Sequence, residues 1–97
     1  MNNMFELWRD EDGTVWLKGR LDASQVVTAD VVLDLVLDSC NVDFSNLGYI
    51  SSAGLGVLLK HQQRLGGLGH EITLTGLSPH IKMVFDYAGF EAVFKML

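Results

Sequence analysis

The chain has 97 residues, of which 48% are hydrophobic, and its formal net charge is −5. This length predicts one small domain, residues 1–97, with a single modest core and no room for a second unit. A nucleic-acid binder is not expected, because counterion release needs clustered basic side chains and the seven Lys and Arg residues are scattered. A protein partner with a basic or amphipathic surface is expected instead.

The sequence also indicates a cellular compartment. Cys40 is the single cysteine and is expected to be a buried thiol in a reducing, intracellular environment. The N-terminus has no basic segment followed by an apolar run, so no signal peptide is expected. The longest apolar runs fall short of the roughly 18 residues of a membrane-spanning helix. These features predict a cytoplasmic protein without direct membrane insertion.

A hairpin and a helix are predicted in the first part of the chain. The strands Phe5–Arg9 and Val15–Gly19 flank a tight turn that contains Asp12-Gly13, a pair that supplies the positive φ of such turns. A helix is predicted over Ser24–Leu37, because apolar side chains recur on one face. Five valines in this window lower its intrinsic helix preference and leave a strand as the alternative.

Strands and helices alternate in the rest of the chain. Ser39–Phe44 is predicted to be a buried strand and Ser45–Gly48 a loop. A helix over Ser52–Leu65 is expected to end at Gly66-Gly67 in a left-handed residue. The remaining predicted elements are a strand at Glu71–Thr75, a helix with Ser78 as N-cap and Pro79 as first residue, and a strand at Val93–Met96. The pattern predicts an α/β fold, a mixed sheet of four to five strands with about three helices packed against it.

The start of the second predicted helix is the candidate functional site. Ser51 or Ser52 is the natural N-cap, because both lie between an apolar strand and the first helical turn. The first N–H groups of a helix lack intrahelical partners and the macrodipole is positive there, so either a phosphate or a serine hydroxyl is stabilised. One site can therefore hold two stable states. Gly54 and Gly56 are expected to let the first turn approach a neighbouring backbone or a partner.

Two acidic residues are expected to support this site. Asp22 closes a predicted strand just before the first helix, where its carboxylate can cap that helix and lie near the sheet end that carries Ser52. Asp43 can face the loop before the serines and organise it. The alternative for each is a local role, as a helix cap or as an ordinary acid at a strand end.

Catalytic and metal chemistry find little support in the sequence. Gly54-Leu55-Gly56 lacks the spacing of a P-loop, and only the trailing glycine of a nucleophile elbow follows the serines. His61, His70 and His80 lack the spacing of a metal site and are expected to be exposed or capping. We expect no catalytic residue, no metal and no cofactor.

Three ordered motifs carry a resemblance that spans almost the whole chain. They are Gly19-Arg20-Leu21-Asp22, the serine segment from Val42 to Leu55, and Leu77-Ser78-Pro79 followed by Val84-Phe85 and Ala88-Gly89-Phe90. Together they resemble the STAS domain of bacterial anti-sigma-factor antagonists. The resemblance implies that the unmodified chain binds a histidine-kinase-like serine kinase that is also the anti-sigma factor, which releases the sigma factor. Phosphorylation would end this binding until a PP2C-type phosphatase removes the phosphate.

The resemblance also implies particular residues. Ser52 matches the phosphoacceptor, and Ser51, which stands where the family often has an aspartate, is a minor alternative. The implied partner-binding residues are Asp22, Ser51, Ser52, Ala53, Gly54 and Leu55. The short segment from Asp22 to Asp43 and the end at Leu97 are also similar to the small STAS subunit of phospholipid-transport ABC systems, which is the alternative function. Those subunits usually have a threonine at the position of Ser52.

Overall fold

One mixed sheet contains the five strands of residues 4–97, the part of the chain that the computed structural model describes. The strands are β1 (Glu6–Arg9), β2 (Val15–Leu21), β3 (Cys40–Ile50), β4 (Ile72–Thr75) and β5 (Lys95–Met96), in spatial order β1-β2-β3-β4-β5. The first pair is antiparallel and the other three pairs are parallel. The predicted mixed sheet is confirmed.

Three α-helices connect the parallel strands. They are α1 (Val26–Leu33), α2 (Ser52–Gly66) and α3 (Pro79–Tyr87), with short 3₁₀ helices at Ala23–Gln25 and Phe90–Ala92. Because the strands follow chain order across the sheet, right-handed crossovers place all three helices on one face. Alternate residues of β3 are buried on this face, among them Val42 and Phe44.

The predicted hairpin turn between β1 and β2 is present. The carboxylate of Asp10 accepts hydrogen bonds from the backbone N–H groups of Asp12 (2.9 Å) and Thr14 (3.0 Å). Gly13 adopts a φ of 84°, which favours glycine. The indole N–H of Trp16 also donates to Asp10, at 2.8 Å. The turn therefore forms because one aspartate satisfies several donors.

The third strand is longer than predicted. Ser45–Gly48, expected to be a loop, lies within β3, and Asn46 and Leu47 are paired with β2. The register shifts twice along this pair, which interrupts the simple alternation of buried and exposed residues. Because the polar residues Ser45 and Asn46 break the alternation expected of a strand, the sequence predicted a loop here, although the backbone stays in the sheet. As a result β3 runs directly to Ile50 and the serines.

Two helix boundaries also differ from prediction. The regular helix in the window Ser24–Leu37 is α1, Val26–Leu33, which is shorter, as its β-branched residues explain. At the end of α2, Gly67 keeps a right-handed φ of −66°, and the left-handed residue is Gly69, with φ 83°. The prediction of a left-handed Gly66-Gly67 was therefore wrong by two to three residues.

The core lies between the sheet and the helices. Phe85 of α3 packs edge-on against Phe44, with ring centroids 5.7 Å apart, and against Phe94 at 5.8 Å. Cys40 is buried at the start of β3, as predicted, and burial raises the pKa of its thiol. Among residues 4–97, no helix combines the length and apolar character needed to cross a membrane.

Candidate functional site

Ser51 is the N-cap of α2. Its backbone is extended, with φ −96° and ψ 175°, and its hydroxyl accepts a hydrogen bond from the N–H of Gly54 at 3.2 Å. Its own N–H donates to the carbonyl oxygen of Leu21 at 3.0 Å, which ties the cap to the end of β2. The sequence allowed either serine as the cap, and the structure assigns this role to Ser51.

Ser52 is the first residue of α2 and is exposed. Within the described part of the chain, no hydrogen bond holds its hydroxyl. The first intrahelical bond is donated by Leu55 to the carbonyl oxygen of Ser51 at 2.9 Å, so the N–H groups of Ser52 and Ala53 precede the hydrogen-bonded ladder. The first turn contains no acidic residue. The hydroxyl of Ser52 is therefore accessible at the positive end of a 15-residue helix.

Gly54 lies beneath the surface, against the backbone of β2. A Cβ atom at this position would be 2.8 Å from the Leu21 carbonyl oxygen and 2.8 Å from Cγ1 of Ile50. The expected close approach of the first turn to a neighbouring backbone is present at Gly54. Gly56 is different, because nothing lies within 4 Å of a Cβ atom built there.

The burial of the first turn changes the predicted docking surface. Gly54 and Leu55 were both expected to contact a partner, but both are buried, and Leu55 is only 6% exposed. In this structure they support the surface from below. The exposed residues of the first turn are Ser52, Ala53 and Gly56. Helical spacing places Ser52 and Gly56 on the same side of α2.

Asp22 lies next to this site and has the predicted capping role. It is the N-cap of the 3₁₀ helix that leads into α1, and Oδ1 accepts from the backbone N–H (3.0 Å) and the hydroxyl (2.7 Å) of Ser24. These hydrogen bonds lower the pKa of Asp22. Its neighbour Leu21 accepts the N–H of Ser51, so the backbone next to Asp22 is bonded to the start of α2. Binding of a partner by Asp22 stays a prediction.

Asp43 contacts the segment that was predicted to be the loop before the serines. Its carboxylate accepts from the N–H of Ser45, the first residue of that segment, at 2.8 Å and from the hydroxyl of Thr75 at 2.9 Å, which joins β3 to the end of β4. The segment lies within β3 and is not a loop, and Asp43 orders its start. Burial tends to raise the pKa of Asp43, but the hydrogen bonds from Ser45 and Thr75 lower it overall.

A polar cluster around the buried His61 connects α1 to α2. His61, expected to be exposed or capping, has no exposed surface, and its Nε2 lies 2.7 Å from Oδ1 of Asp30. Nε of Arg64 donates to Nδ1 of His61 at 3.1 Å. Because Nδ1 accepts this bond, the ring proton is on Nε2 and is donated to Asp30. The expectation for His61 was wrong, because Asp30 of α1 and Arg64, one turn further along α2, provide partners for both ring nitrogens of the buried side chain.

Arg64 and Lys60 complete this cluster. Nη2 of Arg64 donates to the carbonyl oxygens of Leu33 (3.0 Å) and Val36 (2.8 Å), so an α2 side chain caps the end of α1. Nζ of Lys60 lies 2.9 Å from the Asp30 carboxylate. The hydrogen bond from Lys60, followed by that from His61, lowers the pKa of Asp30. This cluster fixes the position of α1 beside the helix that carries Ser52.

Nearly the whole chain matches one known protein family. A family model described as "Mlab, STAS domain" matches residues 4–97. The chain therefore belongs to the STAS domain family, and the resemblance inferred from its three motifs is confirmed.

Two curated relatives share about half of the chain. A Bordetella bronchiseptica protein named as the anti-sigma factor antagonist BtrV is 42% identical over 53 residues, which cover 55% of this chain and 46% of that protein. A STAS-domain containing protein of Pseudomonas aeruginosa is 34% identical over 55 residues, which cover 57% of this chain and 54% of that protein. The match thus spans about half the length of each relative.

Solved structures share the fold over nearly the whole chain. An anti-sigma factor antagonist from Mycobacterium paratuberculosis has a TM-score of 0.86 at 17% identity, with 99% of this chain and 87% of that chain covered. The antagonist SpoIIAA in its unphosphorylated form has a TM-score of 0.72 at 22% identity, with 97% and 87% covered. The phosphorylated form of Bacillus SpoIIAA has a TM-score of 0.70 at 21% identity, with 97% and 91% covered. At these identities the likeness establishes the fold.

Proposed function

We propose that this chain is an anti-sigma-factor antagonist that works as a phosphorylation-controlled partner switch. The unphosphorylated form binds an anti-sigma factor that is also a serine kinase of the histidine-kinase-like ATPase type, and so releases the sigma factor. Phosphorylation of Ser52 ends this binding, and a PP2C-type phosphatase reverses it. The chain has no catalytic activity of its own and acts in the cytoplasm.

The observation that carries this proposal is the division of roles between two adjacent serines. Ser51 supplies the cap of α2, which leaves the exposed hydroxyl of Ser52 free for modification. A phosphate on Ser52 adds about −1.5 to −2 charges beside the free N–H groups of the first turn, where a helix stabilises an anion. The fold is therefore expected to tolerate the phosphate without rearrangement.

The partner, in contrast, is expected to be sensitive to the phosphate. A protein docked over Ser52, Ala53 and Gly56 meets both the bulk and the charge of the modification, on a domain whose net charge is already −5. An unpaired charge buried in an interface costs several kcal/mol, and each 1.4 kcal/mol is about a tenfold loss of affinity. We expect phosphorylation to weaken binding by about a hundredfold or more.

The name of the Bordetella relative supports the choice of partner. That protein is named as an anti-sigma factor antagonist, and it is 42% identical to this chain over 53 residues.

The experiment that tests this function is an affinity capture from native lysate with the wild-type protein, Ser52→Asp and Ser51→Asp, read by mass spectrometry. Ser51→Asp is the matched control, because it adds the same charge one residue away and aspartate is also a good N-cap.

A serine kinase captured by the wild type and by Ser51→Asp, but not by Ser52→Asp, is the expected result. Phosphorylation of the captured wild-type chain at Ser52 would identify the acceptor directly. Capture of an ABC-transporter ATPase by all three forms would contradict the switch, and would make the phospholipid-transport subunit the better description of the chain.

A further inference from the structure

An apolar stripe runs along the outer side of α1. Val27 and Val31 are 75% and 61% exposed, and Leu35, just after the helix, is 72% exposed. The spacing of four residues aligns these side chains, and the backbone turns continue through Leu35, whose N–H donates to the carbonyl oxygen of Val32. Single exposed apolar residues are common, but an aligned set on one helix marks an interaction surface.

The stripe is not a consequence of poor packing. The opposite side of α1 is occupied, because Ala29 and Leu33 are buried in the core and Asp30 binds Lys60 and His61 of α2. α1 is therefore fixed in one orientation, and the three apolar side chains are held outward by the cluster that connects the two helices.

The charges around the stripe are acidic. Nε of Arg64 lies 3.8 Å from Asp34 and Nε2 of His70 lies 3.6 Å from Asp38, but 63% and 77% of these two acidic side chains stay accessible to a partner. Between Arg20 and Lys60 the sequence contains no Lys or Arg. A second copy of this chain would bring the same acids to the contact and no basic side chain of α1 to offset them. A partner with basic residues beside its apolar ones is complementary.

We propose that the stripe Val27, Val31 and Leu35 binds a cationic amphipathic helix of a partner protein, with apolar anchors against the stripe and Lys or Arg beside Asp34 and Asp38. The stripe shares no residue with the exposed first turn of α2, so this proposal does not depend on phosphorylation of Ser52.

The test uses a synthetic 18-residue helix of Leu and Lys, with Leu at helical spacing, and a matched peptide in which Glu replaces every Lys. Binding is measured by calorimetry, and the contact surface is mapped by amide chemical shifts. The protein variants are Val27→Gln/Val31→Gln and the control Leu68→Gln/Met83→Gln, which removes two other exposed apolar side chains. Thermal unfolding checks that both variants are folded.

We expect the Lys peptide to shift amides of α1 and to bind the stripe variant about tenfold or more weakly than the wild type, since two apolar anchors are lost. The control variant should bind as the wild type does. Equal binding of the Glu peptide, shifts confined to other elements, or unchanged affinity of the stripe variant would overturn the proposal. So would self-association of the wild type through α1 without peptide binding, seen by sedimentation.

Discussion

Gly54 and Leu21 are in such close contact that only a glycine fits. A Cβ atom on Gly54 would lie 2.8 Å from the Leu21 carbonyl oxygen, which also accepts the N–H of Ser51 at 3.0 Å. The first turn of α2 is thus fixed to the end of β2 through one backbone oxygen. This contact determines where Ser52 is presented, because Ser52 lies between the two residues that touch Leu21.

Substitution of Gly54 and of Gly56, the two glycines at the start of α2, should therefore have opposite effects on the free energy of unfolding. Gly54→Ala forces a Cβ atom into the backbone of β2 and should lower the free energy of unfolding by about 1–3 kcal/mol. Gly56→Ala places a Cβ atom in open space and should raise it by about 0.5–1 kcal/mol, through helix propensity. Denaturant unfolding of both variants measures this, and a similar effect of the two substitutions would contradict the assigned contact.

Alanine substitutions of the two serines should differ in their effect on the free energy of unfolding. Ser51→Ala removes the hydroxyl that accepts the Gly54 N–H and should cost about 1 kcal/mol. Ser52→Ala removes an exposed hydroxyl without a partner in the described residues and should change stability by less than about 0.5 kcal/mol. The same unfolding measurement applies. If Ser52→Ala were the more costly substitution, Ser52 would be the cap and the division of roles would be wrong.

The end of α1 should depend on the guanidinium of Arg64. Arg64→Lys keeps the charge but cannot donate at once to Leu33, Val36 and His61, so we expect about 2 kcal/mol lower local stability there. Amide hydrogen exchange should show faster exchange in α1 and the turn after it. Lys82→Arg in α3 is the control, because it exchanges the same two residue types at a position away from α1. Unchanged protection of α1 would contradict the capping role.

Acid should destabilise the protein in part through Asp22. The hydrogen bonds from Ser24 lower its pKa below the ordinary value of 3.8, so the folded state favours the charged form. This contribution is present above pH 3.8 and is lost as the pH falls through the lowered pKa.

Asp22→Asn keeps a capping side chain but removes the titration, so its stability should fall less between pH 5 and acid than that of the wild type. Asp12→Asn, in the exposed hairpin turn, controls for a general loss of negative charge. Equal acid dependence of Asp22→Asn and the wild type, in unfolding measured across the pH range, would rule out this contribution.

The alternation of strands and helices, together with the hairpin turn, was enough to predict the sheet and the helices on it. Local signals were sufficient there, because Gly13 supplies the positive φ of the turn and Ser78-Pro79 caps and begins α3. They were not sufficient for β3, where Asn46 and Leu47 pair with β2 and keep this polar stretch in the sheet.

The parts of the site that the sequence missed depend on distant partners. Both serines are good N-caps by residue type, and the structure distinguishes them by the hydrogen bonds of Ser51 with Gly54 and with the distant Leu21. His61 is buried with its Nε2 hydrogen-bonded to Asp30, which lies 31 residues earlier in the chain. Gly54 was recognised as a point of close approach, but its burial depends on the position of β2 and could not be read from α2 alone.

The most direct test of the switch is the affinity of the protein phosphorylated site-specifically at Ser52 for the captured kinase, measured by calorimetry against the unmodified chain. Phosphoserine at position 52 should weaken binding by about a hundredfold or more, while circular dichroism and thermal unfolding show an intact fold. Ser52→Ala should bind as the unmodified chain does. Equal affinity of the phospho-Ser52 protein and the unmodified chain, with both folded, would contradict the partner switch.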